Sequence, residues 1–449
     1  MTHDFDAIVI GGGPGGATAA RQLALAGRRV VLLEKAAFPR FHIGESVLPY
    51  NMPLVRRLGL EERFRKLPHV VKLGAEFVLG GDPSSAIQFS FKQGLLPGSP
   101  TFNVERAPFD EMLLAAAADA GVDVRQRTPV QRITRLADGD VRLTAGDMDL
   151  TARVLIDASG QGTVVGRHLR TRRPILDGKV AYFAHFEDVD RLPGDGTGHP
   201  TLVWCDEGWF WMIGITETKT SIGFVARPGL DKQAGVPADR MLRWAIDRCP
   251  VVRGRMRRAT GPDDNHVAGD FSYRCRPYAG PGYFLVGDAA CFLDPIFSTG
   301  LTLAMASGEA CAADIDAMLA GRLSPRAARR RHVRFVTGST RPFWRLIRDS
   351  YDHAFRELAL HGRGPVGLHG AVIATLGGNV FPRPVWALRW RLALFHLHVR
   401  IQRHFPLVPR RPRHALLDAE PAERQGRFSD PVEPVRAERL DSPMVIQGR

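Results

Sequence analysis

The amino-acid sequence predicts an α/β protein on three observations. A β-branched run near the start leads at once into a glycine-rich turn and an alanine-rich helical stretch; short apolar runs bounded by turn residues fill the middle; arginine-rich helical patterns dominate after residue 320. The 449 residues are 44% hydrophobic and 24% charged, which suits two or three packed domains and excludes wholesale disorder. No uncharged apolar run reaches the roughly 18 residues of a membrane-crossing helix. The first strand-like run begins so close to Met1 that a signal peptide is not expected. Five scattered cysteines (Cys205, Cys249, Cys275, Cys291, Cys311) form no CxxC pair and no metal-ligand spacing. That pattern points to the reducing cytoplasm, with no disulfide framework and no metal site.

The first element is the run Asp6-Ala7-Ile8-Val9-Ile10, read as a buried strand. Gly11, Gly13 and Gly16 then occupy the three glycine places of a GxGxxG turn. A helical run from Ala17 to Ala26, a stop at Gly27, and a second strand closing on Glu34 complete a strand–turn–helix–strand unit. The first glycine suits the tight turn, the second the approach of a pyrophosphate, and the third the packing of helix on strand. The helix N-terminus favours phosphate charge, and Glu34 is placed to accept from ribose hydroxyls. The unit predicts dinucleotide binding.

Two further strands end in acidic turns, Val154 to Gly160 with Asp157, and Tyr283 to Ala290 with Gly287 and Asp288. Together with the N-terminal unit they resemble the FAD-dependent monooxygenase superfamily built like para-hydroxybenzoate hydroxylase. That resemblance implies FAD as cofactor, with Asp288 on its ribityl chain and Asp157 and Gly287 also in the cofactor-binding set. It implies a discontinuous FAD-binding domain (1–66, 100–166 and 276–320) and a β-sheet substrate domain (67–99 and 167–275). A helical C-terminal region (321–408) and an extended or disordered tail (409–449) follow.

Other segments narrow the resemblance. Phe41-His42-Ile43-Gly44-Glu45-Ser46 is similar to the GES segment that lies along the flavin, and Phe102 to Arg106 to the stretch whose arginine contacts the cofactor. Arg40, Glu45, Ser46 and Arg106 accordingly join the cofactor-binding set. Lys72-Leu73-Gly74-Ala75-Glu76-Phe77 looks like the K-x-G-A-x-F segment of flavin-dependent halogenases. Phe292 to Gly300 resembles their flavin-and-halide loop, and Trp209 to Gly214 their W-x-W-x-I-P signature. The last place is here Gly214, which would loosen that segment. The resemblance runs from about residue 5 to about residue 360.

The halogenase resemblance implies that reduced FAD and O2 convert a bound chloride or bromide into hypohalous acid. Backbone N–H groups around Ser298, Thr299 and Gly300, after Pro295, are suited to hold the halide. Trp209 and Trp211 would wall the organic substrate off the flavin. Lys72 would deliver the halogen, with burial near Val70, Val71, Leu73 and Phe77 lowering its pKa. The expected substrate is an electron-rich aromatic, a phenol or pyrrole, free or tethered to an acyl carrier protein. Nothing is built to bind NADH, so reduced flavin is expected from a separate reductase. The alternatives are an aromatic hydroxylase, a geranylgeranyl-reductase-like flavoprotein at a membrane surface, and a degraded, non-catalytic flavoprotein.

The net charge of +14 lies wholly after residue 320, where 24 arginines face 10 acidic residues. A nucleic-acid partner is therefore not expected. The basic helical region could meet an acidic carrier or an anionic membrane. His396, His398 and His404 are read as packing residues, Trp204 and Tyr182 as sheet-core aromatics. Asp206 and Glu207 are read as turn residues, with a base toward a phenol as the alternative.

Overall fold

The computed structural model describes residues 3–96, 98–362 and 365–420. Its first sheet has a five-stranded parallel core, in the order Tyr283–Leu285, Met148–Asp157, Phe5–Ile10, Val30–Leu33 and Asp123–Arg125. A strand covered on both faces needs a continuous apolar run and not an alternating one. Ala7, Ile8 and Val9 are fully buried for that reason, as are Val31, Leu32, Leu155 and Ile156. The helices Pro14–Leu25 and Gly300–Leu319 pack together over this sheet, with Gly308 close against the backbone of Gly15. The strand ends, and the two helix N-termini, thus converge on one edge.

The second sheet also has eight strands. It runs Cys291–Phe292, His266–Cys275, Arg172–Phe186, Thr220–Ala226, Gly208–Gly214, Thr201–Trp204, Gly74–Leu79 and Asp82–Ser90. Its period-two alternation separates two faces. Ala181, Phe183, Trp209, Trp211 and Ile213 belong to the core shared with the first sheet. Tyr182, Ala184, Phe210, Met212 and Phe224 pack on the other side, under the helix Met241–Arg248. Trp204 is buried with the first group and Tyr182 with the second. The segment 67–99, expected to add strands to this sheet, divides. His69–Lys72 leaves this sheet and pairs with Thr101–Val104 in a separate two-stranded ribbon.

Beyond residue 320 the chain forms the helices Pro325–Ser350, His353–His361, Leu368–Leu376 and Trp386–His404. Among the described residues no helix is long and apolar enough to cross a membrane. Residues 409–420 are neither helix nor strand, yet they are tied down. Glu357 accepts from the Arg411 N–H, and the two oxygens of Glu207 accept from those of Leu416 and Leu417. Glu207, weighed as a turn residue or base, is therefore an anchor for this segment. The rest of the expected tail, 421–449, lies outside the described residues. His396 meets Asp349, and the described residues contain no group of three or more potential metal ligands.

Candidate active site

The edge where the strands end is lined with backbone. Gly11 sits at φ +99°, and a Cβ there would lie 2.4 Å from Ala158 O. A Cβ at Gly16 would lie 1.9 Å from Gly11 O, so only glycine lets this helix close on its strand. Gly13 faces open space up to the Arg40 guanidinium, 3.5 Å from where a Cβ would stand. Glu34 holds the turn from below, accepting from the N–H of Gly12 at 2.7 Å and of Ala36 at 2.9 Å. Asp157 spends both oxygens on its own turn, accepting from the N–H of Ser159 and of Val165. It is fully buried and shapes the neighbouring loop. Arg106 is buried, clamped bidentate on Asp110 at 2.8 and 2.9 Å, and donates to the carbonyl of Ile43 at 2.9 Å. Gly287 opens the short turn that carries Asp288.

Lys72 closes the two-stranded ribbon. Its ammonium donates to Ser46 Oγ at 2.8 Å and to Val47 O at 3.3 Å, and lies 5.3 Å from the centre of the Phe91 ring. Only 3% of the residue is exposed, and burial draws its pKa down to about 7. Of the neighbours expected from sequence, Val71 turns outward. Val71 is 47% exposed, while Ser46, Val47 and Phe91 form the lysine's surroundings. A strand sends alternate side chains to opposite sides, which sequence neighbours cannot escape. His199 lies in the field of Lys72; burial and then that charge keep its imidazole below the usual pKa, and neither ring nitrogen finds a partner among the described residues. Glu45, beside Ser46, points the other way: its Oε1 is 2.6 Å from His185 Nε2, and its buried Oε2 has no partner among the described residues.

The third part is the loop 294–300. Pro295 opens a single 3₁₀ turn, and Ser298 follows with φ +54°. Thr299 is the N-cap of the 20-residue helix Gly300–Leu319. The N–H groups of Thr299 and Gly300 find no acceptor among the described residues outside that helix. Ser298 departs from expectation, because its N–H donates to Pro295 O at 3.0 Å and closes the turn. Across the site, the rings of Trp209 and Trp211 are 6.0 Å apart and buried. The Trp211 indole N–H donates to Ser221 Oγ at 3.1 Å.

A family model described as an FAD binding domain matches residues 4–331. The chain is 34% identical over 314 residues to a 1H-pyrrole-2-carbonyl-[peptidyl-carrier protein] brominase of Pseudoalteromonas luteoviolacea, covering 68% of this chain and 75% of that protein. It is 30% identical over 343 residues to the corresponding chlorinase of Pseudomonas fluorescens, covering 70% and 76%. Among solved structures, the flavin-dependent brominase Bmp2 superposes with a TM-score of 0.77 at 29% identity, over 89% of this chain and all of that one.

The chain belongs to the flavin-dependent halogenases. Its cofactor is FAD and its co-substrate a halide. The residues present fit the cofactor. The Asp288 carboxylate accepts no hydrogen bond from the described residues, and burial pushes its pKa up to about 7 against the pull of Arg106. Arg40 Nη1 is buried, near Asp110 at 3.4 Å but without a hydrogen bond to the described residues. With the helix start at Gly13 uncapped by any side chain, these groups suit an anion and a hydroxyl donor.

Gly214 does not loosen the tryptophan segment. It pairs in register with Thr220, and a Cβ on it would stand 2.7 Å from the Arg191 Cζ. The Arg191 guanidinium fills that space and donates to Thr216 O and Lys219 O, both at 2.7 Å. Sequence reasoning missed Asp294, although it lies between Phe292 and Gly300, and missed His185, His199, Phe91 and Tyr351. Only tertiary structure brings these to the site.

Proposed function

We propose that Lys72 is the group that carries halogen from the halide site to the organic substrate. The observation behind this reading is the buried ammonium held on Ser46 of the GES segment with a pKa drawn down to about 7. Reduced FAD with O2 supplies the oxidising equivalents that turn halide into hypohalous acid. The chain's residues do the rest. The free N–H groups of Thr299 and Gly300, at a helix N-terminus, hold the halide. Gly11, Gly13, Gly16, Glu34 and Arg40 hold the dinucleotide, with Asp288 on its ribityl chain and Arg106 fixing the GES backbone. Trp209 and Trp211 keep the organic substrate apart from the flavin. Near neutral pH Lys72 is present in part as the free amine, which condenses with hypohalous acid to an N–halogen bond and water. The amine is restored when the halogen passes to the aromatic carbon and that carbon's proton leaves.

The substrate is an electron-rich aromatic, a pyrrole or phenol, and the two named relatives act on a pyrrole carried by a peptidyl carrier protein. A carrier would approach the exposed cluster Arg341, Arg345, Arg348 and Arg400. There burial, then the charges of Arg341 and Arg348, hold the Arg345 guanidinium below its usual pKa. Reduced FAD comes from a separate reductase in the cytoplasm, a compartment that suits five free, buried cysteines.

The test pairs FAD-loaded protein with a flavin reductase and NADH, bromide or chloride, and free or carrier-bound pyrroles and phenols. Wild type gives halogenated product and Lys72→Ala gives free hypohalous acid without it. Hydroxylated product in the absence of halide overturns the reading.

A further inference from the structure

Tyr351 follows the helix Pro325–Ser350, outside every segment that pointed to function, yet its hydroxyl joins two of them. The Trp209 indole N–H donates to it at 3.2 Å, and it lies 2.6 Å from Asp294 Oδ2. The direction of this chain is fixed by chemistry. An indole nitrogen only donates, so the single hydroxyl proton goes to the carboxylate. Asp294 Oδ1 meanwhile accepts from the Ile296 N–H at 3.0 Å, capping the turn that leads through Ser298 to Thr299 and Gly300. Asp294 is 2% exposed, and the Tyr351 donor opposes the burial that raises its pKa. The Lys179 ammonium lies 4.5 Å from the centre of the Tyr351 ring and holds that ring from its face.

We propose that Tyr351 is a positioning residue for the halide: its hydroxyl fixes Asp294, and through it the 295–300 turn, at a set distance from Trp209 and the substrate pocket. Residues 57 and 142 apart in sequence are thereby kept in one register. The wall that faces the organic substrate and the loop that faces the halide move together or not at all. This inference rests on reading the loop as the halide site.

The test is Tyr351→Phe in the FAD-loaded full-length protein, which removes one oxygen and keeps the ring under Lys179. Bromide binding is followed by the change in flavin fluorescence, and the KM for bromide and kcat are measured separately. Loss of a charge-assisted hydrogen bond predicts about tenfold weaker bromide binding and a matching rise in KM. At saturating bromide kcat stays within about twofold, and FAD affinity is unchanged. Unchanged bromide binding overturns the proposal. So does a loss spread equally over kcat, FAD affinity and bromide binding, which would make Tyr351 a packing residue. Gly300→Ala separates the two levels, since its methyl would enter open space in front of the loop, with Asp288 Oδ1 the nearest atom at 3.9 Å. If Gly300→Ala weakens bromide binding and Tyr351→Phe does not, only the Tyr351 proposal fails. If neither does, the halide reading of the loop fails with it.

Discussion

The dinucleotide end of the site and the lysine end are built by opposite means. At the first, backbone does the work: one strand, one turn and one helix within residues 5–25 make a surface of N–H groups that needs glycine where neighbours approach within 2.4 Å. At the second, side chains do it. Lys72, Ser46, Phe91, Trp209, Asp294 and Tyr351 come from six separate stretches, and several are buried polar groups held by one or two partners. At Gly11 and Gly16 the backbone site tolerates no added atom, and its loss disturbs the strand and helix that make it. A side-chain site is the reverse: it costs stability to maintain, and its removal leaves the frame standing.

Four substitutions or measurements bear on that contrast, the most severe first. Gly16→Ala puts a Cβ 1.9 Å from Gly11 O, and no FAD-loaded protein should be recoverable, as judged by flavin absorbance after purification. Recovery of a loaded, active Gly16→Ala would break the comparison. Lys72→Met should lower halogenated product by about 100-fold or more. It leaves FAD affinity alone and should raise Tm at pH 6 by about 2 °C or more, since a buried charge is removed.

The third concerns pH. Burial lowers the folded pKa of Lys72 from 10.5 to about 7, so the unfolded chain binds more protons between those values. The Tm gain of Lys72→Met is therefore full below pH 7 and fades toward 10.5. By the same shift the amine fraction, and with it halogen transfer in a single turnover, should rise through pH 7 and level off. Lys72→Arg, always charged, should lack that rise. The smallest effect is expected from Gly214→Pro. The ring would displace Arg191 from its carbonyls and cost about 1–3 kcal/mol in urea unfolding. Gly214→Pro with Arg191→Ala should lose less than the single change, because the space is then free.

The contrast also explains how much could be read from sequence. The GxGxxG unit is legible because its parts are contiguous and each glycine answers a local steric demand. The parallel strands are legible because burial on both faces leaves unbroken apolar runs such as Ala7 to Ile10. Lys72 could be singled out only by the resemblance of its segment, and its real neighbours come from residues 46, 47 and 91. Ser298 was expected to offer its N–H; a left-handed residue after a 3₁₀ turn uses that donor to close the turn. Asp157, expected in the cofactor-binding set, holds the amides of Ser159 and Val165, a local role that the acidic turn alone does not announce. Tyr351 had no local signal, since a tyrosine after an arginine-rich helix looks like any helix end.

The pairing of Gly214 with Arg191 has a consequence for recognising relatives. Where the family pattern has proline, this chain uses two residues 23 apart to fill the same volume, one by vacating it and one by entering it. A search pattern that demands the proline would discard such chains. One that accepts glycine there should ask for a long cationic side chain on the preceding crossover, and chains with the glycine but no such filler mark where that stretch of the tryptophan wall has gone slack.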